Sequence, residues 1–417
     1  MTAMTQSETT GWFDSYLLWF LNALILFWLI VTSGAIFPLL TLGDGSELDE
    51  AARSRLRLLL LPSLTLAPLL VMLQFRAISL LLLRNAFLLI IVMWAAMSIA
   101  WSVAPDLTGR RAFSLTINTL IACFLVIDRD VDRLLRLLFW CFFILLAVSV
   151  AFIVLRPDLA AMTDGRGVRG AFLHKNSLGQ TAAVGQIVFF AALRSGVVSR
   201  WLCIAGMVLA LGLLFTAGAA SSIVVGVIVL GLQAYFLTDA LPFRQRVVLF
   251  TFGLAAVIVL AGLVVANLDV VLALLGRDAT LTGRTDIWAY VLHMSADRPW
   301  LGYGYAGFFE AERFASYVMD RFDWSIPTAH NGYFETMLGL GWIGLALLLG
   351  FFWTMAYRLA LNWRRLPTGL AMLALPLLVY YVVMNITEST VLASSGLGWV
   401  VMMIAALLLT PGLSNDE

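Results

Sequence analysis

Three short stretches of the chain concentrate arginine, histidine and amide side chains. The first is RGVRGAFLHKN at residues 166–176, the second is GRDATLTGRTDIW at residues 276–288, and the third is TAHNGYFE at residues 328–335. A guanidinium stays charged at physiological pH and binds phosphate through two parallel hydrogen bonds, so clustered arginines indicate an anionic ligand. A histidine can accept a proton near neutral pH. Together the stretches predict a site for a diphosphate carried on a lipid, with an acid–base group beside it.

Each of these residues also has a simpler interpretation. Arginines in the loops of membrane proteins often only contact lipid headgroups or cap helices, and no single residue in the three stretches is decisive. The combination of two arginine stretches and one histidine stretch is more specific, provided that all three lie on one side of the membrane.

The composition identifies the elements that must position these residues. Of 417 residues, 62% are hydrophobic and 12% are charged, whereas soluble domains carry about 25% charged residues. Too little polar surface remains to cover a water-soluble globule, so the chain is predicted to be an integral membrane protein. The net charge of +1 gives no indication of nucleic acid binding. The three cysteines lie in apolar runs and show neither a disulfide framework nor a metal-ligand spacing.

Apolar runs predict an all-α fold with about twelve transmembrane helices, since a helix needs about 20 apolar residues to cross a bilayer. The predicted spans are 16–40, 56–75, 84–101, 111–127, 133–155, 177–194, 200–216, 220–238, 246–268, 333–357, 369–386 and 392–410. This divides the chain into helices 1–9 at residues 1–268, a large polar loop at 269–332, and helices 10–12 at 333–417.

Arginine distribution gives the orientation. With the N-terminus inside, the inner loops carry more arginines than the short outer loops, as the positive-inside rule requires, although the bias is weak. The three polar stretches and the loop 269–332 then lie outside. A loop of this length is usually functional. Within it, alternating aromatic and charged residues from Ala306 to Phe322 predict a helix lying along the membrane surface.

At these stretches the sequence resembles the O-antigen ligase and Wzy-type polymerase superfamily of bacterial membrane proteins. The resemblance is closest to exopolysaccharide polymerases of the succinoglycan type. It rests on RGAFLHKNSLGQ, on LTGRTDIW followed by RPWLGYGY, on AHNGYFETMLGLGWIGL and, more weakly, on NITESTVL with its Glu388. WSVAPD, after the third predicted span, is a further similar segment, and the similarity runs from about residue 90 to the end of the chain.

The resemblance implies a GT-C-like organisation with a large periplasmic loop, and a multi-pass protein of the bacterial inner membrane whose active site faces the periplasm. It implies an inverting glycosyltransferase, independent of metals and cofactors, whose donor is an undecaprenyl-diphosphate-linked oligosaccharide. Polymerisation of repeat units into exopolysaccharide or O-antigen is the first hypothesis. Ligation of a glycan to lipid A core or another acceptor is the second. Membrane lipid surrounds the protein, and a chain-length regulator or an export complex would be further partners.

The resemblance also assigns residues. Arg169 and Arg284 would neutralise the leaving diphosphate, and His330 would act as the base on the acceptor hydroxyl. Further predicted contacts to the diphosphate or glycan are Arg166, Lys175, Asn176, Asn331 and Arg277. One departure is that many relatives carry Ser-Arg or Ser-Lys after the seventh span, whereas TAGAASS at residues 216–222 has no cation. Arg166 would then substitute for it.

A polyprenyl-linked glycan transporter or flippase is the alternative from another class. A transporter is expected to show ionisable residues near mid-membrane and repeated, interrupted helices. The predicted spans contain almost no such residues and show no clear repeat. A structural subunit of an export complex would leave the arginine and histidine stretches unexplained. The enzyme hypothesis requires that Arg169, Arg284 and His330 face one common cavity.

Overall fold

The computed structural model describes residues 22–36, 58, 71–72, 74–128, 130–162, 167–238, 241–242, 244–246, 248–249, 251, 284–311, 326–394 and 396–412. Within them the secondary structure is helical, with one isolated β-bridge between Ala161 and Val168. The helices are α1 (Asn22–Thr32), α2 (Phe75–Arg84), α3 (Ala86–Met97), α4 (Pro105–Asp128), α5 (Val131–Leu155), α6 (Lys175–Ser195), α7 (Arg200–Ala217), α8 (Ala220–Leu237), α9 (Arg284–Asp297), α10 (Gly332–Asn362), α11 (Thr368–Met384) and α12 (Leu397–Leu408).

Several of these helices can cross a membrane. Helices α4, α5, α7, α8 and α10 are long and apolar enough, and α2 and α3 pass the same test as a pair bent by 102°. The protein is therefore a multi-pass α-helical membrane protein. The predicted spans 56–75 and 246–268 lie almost entirely outside the described residues. The total of about twelve spans and the three-part division of the chain stay predictions.

Helix α6 lies at the centre of the bundle and packs on α5, α7, α8, α11 and α12. Its sequence allows this because small residues let neighbouring backbones approach closely. A side chain at Gly179 would meet Ser222 of α8, and one at Gly185 would meet Phe142 of α5. The helix ends at Gly196, whose φ of 72° closes a left-handed C-cap.

Helices α7 and α8 form the tight hairpin that the sequence predicted. Gly218 makes the turn with a φ of 65°, a conformation that glycine adopts without steric cost. Deeper in the bundle the buried amide of Gln186 on α6 donates to Gln233 of α8 at 3.2 Å. The hairpin therefore returns α8 to the central helix.

Helix α10 is broken at Gly341, where φ is 70° and ψ is −172°. A break leaves preceding carbonyls without their helical donors, and the segment after α9 supplies replacements. The amides of Tyr303 and Gly304 donate to the carbonyls of Leu338 and Gly339, both at 2.9 Å. The RPWLGYGY sequence thus docks by its backbone on the broken helix.

The same segment also binds the corner between α3 and α4. The amide of Val103 donates to the Tyr303 carbonyl at 3.0 Å, and the amide of Tyr305 donates to the Ser98 hydroxyl at 2.9 Å. Arg111 of α4 pairs with Glu310. Residues 298–311 therefore form part of the helical body.

The predicted surface helix from Ala306 to Phe322 is wrong in its described part. Residues 306–311 form consecutive turns. Phe308 and Phe309 are buried, and Phe308 packs edge-on against Tyr303 with 5.0 Å between ring centroids. The φ of 50° at Ala306 interrupts a helical backbone. The aromatic side chains are buried and do not lie along a membrane surface as predicted. Residues 312–325 lie outside the described part of the chain.

Candidate active site

Glu388 joins several segments of the chain at one buried carboxylate, in the loop between α11 and α12. Its side chain is 8% exposed, and Oε1 lies 2.9 Å from Nη2 of Arg284. The same oxygen accepts longer hydrogen bonds from Ser221 Oγ at 3.3 Å and from Asn176 Nδ2 at 3.4 Å. Oε2 lies 3.6 Å from Nδ1 of His330. Predicted site residues from three separate stretches therefore meet at a residue that was not predicted.

The surroundings of Glu388 favour its charged form. Burial raises the pKa of this carboxyl, but the neighbouring His330 imidazole and the Arg284 guanidinium outweigh burial and lower the pKa below its ordinary value. Glu388 is therefore an anion at neutral pH, held in a place where an unpaired charge would be costly.

Four of the described helices begin around this carboxylate. Asn176 is the second residue of α6, Ser221 is the second residue of α8, and Arg284 is the first residue of α9. His330 stands two residues before the start of α10. Helix N-termini carry partial positive charge and unpaired amides, so their convergence creates a region that favours an anion.

Asn385 folds the turn that presents Glu388. Its side chain is fully buried, and Oδ1 accepts from the amides of Thr390 at 2.9 Å and Val391 at 3.0 Å. Nδ2 donates to the Tyr381 carbonyl at 2.7 Å. Arg284 adds a hydrogen bond from Nη1 to the Thr387 carbonyl. The NITESTV sequence is thus a turn built around one asparagine.

The segment AHNG is interlocked with this turn. Asn331 caps α10, since its Oδ1 accepts from the amides of Tyr333 and Phe334, both at 3.0 Å. Its Nδ2 donates to the Ile386 carbonyl at 3.0 Å. At Gly332 a Cβ atom would lie 2.1 Å from Oδ1 of Asn385, which explains the glycine at this position. The predicted ligand contact of Asn331 is untested, and its amide serves here to position His330.

His330 has an unusual backbone, with a φ of 48°. Such a conformation is uncommon outside glycine and needs support from its surroundings. Glu335 provides it, since its Oε2 accepts from the Ala329 amide at 2.6 Å. Nδ1 of His330 is buried and makes no hydrogen bond within the described part of the chain. The imidazole is 23% exposed and faces the carboxylate of Glu388.

Helix α9 positions Arg284 through an aromatic anchor one turn further on. Trp288 Nε1 donates to the Ala329 carbonyl at 3.1 Å, and its ring packs edge-on against Phe334 at 5.8 Å. The GRTDIW sequence therefore ties the arginine to the segment that carries His330.

Arg169 lies in the loop that leads into α6, and it contacts backbone carbonyls. Nε donates to Leu159 at 2.7 Å and Nη1 to Leu173 at 3.5 Å. His174 follows and caps α6, with Nδ1 accepting from the Asn176 amide at 3.1 Å. The structure therefore places Arg169 in the loop that precedes α6, without a described contact to Glu388. That Arg169 faces one cavity together with Arg284 and His330 stays a prediction.

The other predicted ligands are placed in part. Lys175 is the first residue of α6. Arg166 and Arg277 lie outside the described residues. The roles of Arg169, Lys175, Arg166 and Arg277 in binding diphosphate stay predictions. In the part of the chain that the structure describes, no group of three or more His, Cys, Asp or Glu side chains could hold a metal ion.

Sequence reasoning missed Glu388 and Ser221 as site residues. A signal for Glu388 was available, because it is the only charged residue between Arg365 and Asp416. A lone charge in so apolar a region is costly, and this indicates a function. No comparable signal existed for Ser221, the second residue of α8.

Comparison with known proteins shows what this part of the chain is similar to. Residues 202–349 match the family model described as O-antigen ligase. The resemblance to the O-antigen ligase and polymerase superfamily is confirmed. The matched region contains Ser221, Arg284 and His330, whereas Asn176 and Glu388 lie outside it.

A relative extends the similarity. The chain is 31% identical over 271 residues to the exopolysaccharide production protein ExoQ of Rhizobium meliloti (strain 1021). The alignment covers 61% of this chain and 60% of the relative. The chain thus matches a little over half of that protein's length, and the similarity supports a relationship to exopolysaccharide proteins.

Proposed function

We propose that this protein is an inverting glycosyltransferase of the bacterial inner membrane. It polymerises undecaprenyl-diphosphate-linked oligosaccharide repeat units into exopolysaccharide or O-antigen at the periplasmic face. The observation that carries the proposal is the meeting of Arg284 and His330 at a buried carboxylate surrounded by helix N-termini. The match to an O-antigen ligase model and the similarity to ExoQ support the same reaction class.

The reaction needs charge stabilisation at one end and proton removal at the other. The bond between the anomeric carbon and the diphosphate oxygen breaks, and its electron pair leaves with the diphosphate. Arg284 and the amides at the nearby helix N-termini neutralise this charge. The acceptor hydroxyl oxygen forms the new glycosidic bond, and its proton passes to His330.

Glu388 assists His330 in this scheme. A carboxylate beside one imidazole nitrogen orients the ring and stabilises the imidazolium that forms when the other nitrogen takes a proton. The separation of 3.6 Å between Oε2 and Nδ1 is longer than a hydrogen bond. Such contacts commonly shorten only when substrate is bound. Glu388 is a positioning residue in this mechanism.

An apolar groove supports a lipid-linked donor. It has a volume of about 530 Å³ and is lined by Leu349, Gly350, Phe352, Trp353 and Ala356 of α10 and by Leu378 and Val382 of α11. Helix α10 begins next to His330 and α11 ends shortly before Glu388. The groove lies further along α10, at residues 349–356, beyond the break at Gly341. An isoprenoid chain fits the apolar lining of such a groove.

Ligation of a finished glycan to lipid A core or another acceptor is the second candidate. The description of the matching family model favours it, and the same residues would serve both reactions. The acceptor alone distinguishes them. Deletion of the gene followed by analysis of lipid-linked intermediates separates the two. Accumulated single repeat units would indicate a polymerase, and accumulated long chains would indicate a ligase.

The enzyme itself is tested with the purified full-length protein and lipid-linked repeat units. Arg284→Ala and His330→Ala should each lower product formation by about 100-fold or more. Arg133→Ala is the matched control, because this exposed arginine in the first turn of α5 pairs with the N-cap residue Asp130. Wild-type glycan length and yield from Arg284→Ala would refute the proposed role.

A further inference from the structure

We infer that Glu388 and the donor diphosphate compete for Arg284, and that the donor, by taking over Arg284, releases Glu388 to His330. This inference rests on the proposed function and deepens it. It assigns an order of events, in which the donor binds before the acceptor hydroxyl is activated.

The first argument is that Arg284 is already engaged. Both of its terminal nitrogens bond to the Glu388 turn, Nη2 to the carboxylate at 2.9 Å and Nη1 to the Thr387 carbonyl. A phosphate bound through those two nitrogens must replace both contacts. The carboxylate and the diphosphate are therefore competitors for one guanidinium.

The second argument concerns where the carboxylate lies. Helices α6, α8, α9 and α10 begin around it, so Glu388 occupies the position that the fold makes favourable for negative charge. No residue of the Glu388 turn other than the carboxylate itself carries charge. A carboxylate at this position offsets the positive potential until a stronger anion arrives.

The third argument is the unequal use of the two carboxylate oxygens. Oε1 accepts from Arg284, Ser221 and Asn176, whereas Oε2 lies 3.6 Å from Nδ1 of His330. When Arg284 moves to the diphosphate, Glu388 keeps two neutral donors and loses its strongest partner. A buried carboxylate without a cation is unstable, so it favours protonation of the adjacent imidazole.

Other charged or titratable groups surround this pair. Glu335 on α10 interacts with His330, and Tyr380 on α11 interacts with Glu388. Neither competes for Arg284 in the structure. The departure of the guanidinium is thus the change that strengthens His330 as a base at the moment when the leaving group is in place.

The experiment measures binding of undecaprenyl diphosphate to the full-length protein in phosphatidylcholine nanodiscs, alongside turnover of the lipid-linked repeat unit. Glu388→Gln keeps the shape and removes the charge. The affinity of this variant for undecaprenyl diphosphate should rise by about tenfold while kcat falls by about tenfold or more. A structural defect would lower both affinity and turnover. It would not explain an affinity that rises while turnover falls.

Matched variants complete the design. Asp130→Asn is the control, because it also converts an ion-paired carboxylate to an amide, next to Arg133 on α5, and it should change neither quantity. Thermal unfolding checks the fold. If Glu388→Gln does not fold, Glu388→Asp replaces it. The shorter side chain weakens the contact with Arg284, so affinity should still rise several-fold.

The outcomes separate the two proposals. Unchanged or weaker binding of undecaprenyl diphosphate in the folded Glu388 variant would overturn the inference. Equal binding by the wild type and Arg284→Gln would overturn both the proposed role of Arg284 and the inference that rests on it, because the diphosphate would then not depend on Arg284. The inference alone fails when Arg284→Gln weakens binding but Glu388→Gln does not strengthen it. Tighter binding in Glu388→Gln that disappears in the Arg284→Gln, Glu388→Gln double variant would support both.

Discussion

Replacement of Asn385 by alanine tests whether the turn that carries Glu388 depends on one side chain. The amide accepts from the backbone of Thr390 and Val391 and donates to the Tyr381 carbonyl, and all of these contacts are within 3.0 Å. Asn385 itself is fully buried. Its removal leaves the two backbone amides without an acceptor, whereas the Tyr381 carbonyl still accepts from the backbone amide of residue 385 at 3.3 Å.

The magnitude follows from those orphaned groups. Each buried group without a partner costs about 1–3 kcal/mol, so the native turn should lose about 3 kcal/mol or more relative to opened conformations. A change of this size shifts their equilibrium by roughly 100-fold. Glu388 then leaves its position between Arg284 and His330, and glycosyl transfer should fall by a similar factor.

The assay pairs turnover of the lipid-linked repeat unit with thermal unfolding in detergent. Asn362→Ala is the control, since that amide makes one hydrogen bond, to the Arg358 carbonyl at 3.0 Å, at the far end of α10. It should retain turnover near the wild-type rate. Asn385→Ala with wild-type turnover would refute the argument, because the turn would then hold its shape without the asparagine.

Three further predictions follow from the same structure. Gly332→Ala places a Cβ atom 2.1 Å from Asn385 Oδ1 and should abolish turnover while leaving membrane insertion intact. Gly212→Ala on α7, where a Cβ meets nothing within 4 Å, is the control and should change neither turnover nor membrane insertion. The folded protein holds the pKa of Glu388 below its ordinary value of 4.5. The ionised carboxylate therefore stabilises the fold above pH 4.5, and this stabilisation is lost as pH falls through the lower pKa of the folded state. The Tm of the wild type should fall at acid pH more steeply than the Tm of Glu388→Gln, and identical slopes of Tm against pH would contradict this. Val382→Trp should fill part of the apolar groove. Because the donor chain then loses buried apolar contact, KM for long-chain donors should rise several-fold with kcat little changed. Val227→Trp on the exposed face of α8 is the control and should leave KM unaltered.

The long apolar helices could be predicted from the sequence because their signal is local. The run 133–155 corresponds to Val131–Leu155, and the run 200–216 corresponds to Arg200–Ala217. Each is bounded by polar or small residues that end the apolar pattern. An apolar run of about 20 residues is long enough to cross the membrane as a helix. Such a span can therefore be predicted without knowledge of contacts to distant parts of the chain.

The break in α10 and the docking of residues 298–311 could not be predicted in this way. Gly341 lies in an apolar run that predicts one continuous helix. The carbonyls of Leu338 and Gly339, just before the break, accept hydrogen bonds from the amides of Tyr303 and Gly304. These two residues stand well over thirty positions earlier in the chain. A side chain at Gly302 would clash with Gly339 at 2.6 Å. Such backbone pairing depends on tertiary contact, which hydropathy does not report.

The candidate site was predictable as a set of residue types but not as an arrangement. Arg284, His330 and Asn176 carry recognisable chemistry in short sequence motifs. Their common partner is visible only as a lone acid among apolar residues. Arg169 has the same residue type as Arg284, yet its guanidinium binds backbone carbonyls. Charge identifies candidates, and only the packing of loops decides which of them share a partner.

The convergence of helix starts explains why this fold holds a carboxylate at a site for an anion. Helices α6, α8 and α10 present their N-terminal ends at one place, so the intervening α7 must return the chain before α8 begins. That geometry creates positive potential whether or not substrate is present. A buried region of this kind without an anion would be destabilised by its own dipoles and by Arg284. Glu388 offsets that cost, and in the proposed mechanism its displacement by a diphosphate links substrate binding to the state of His330.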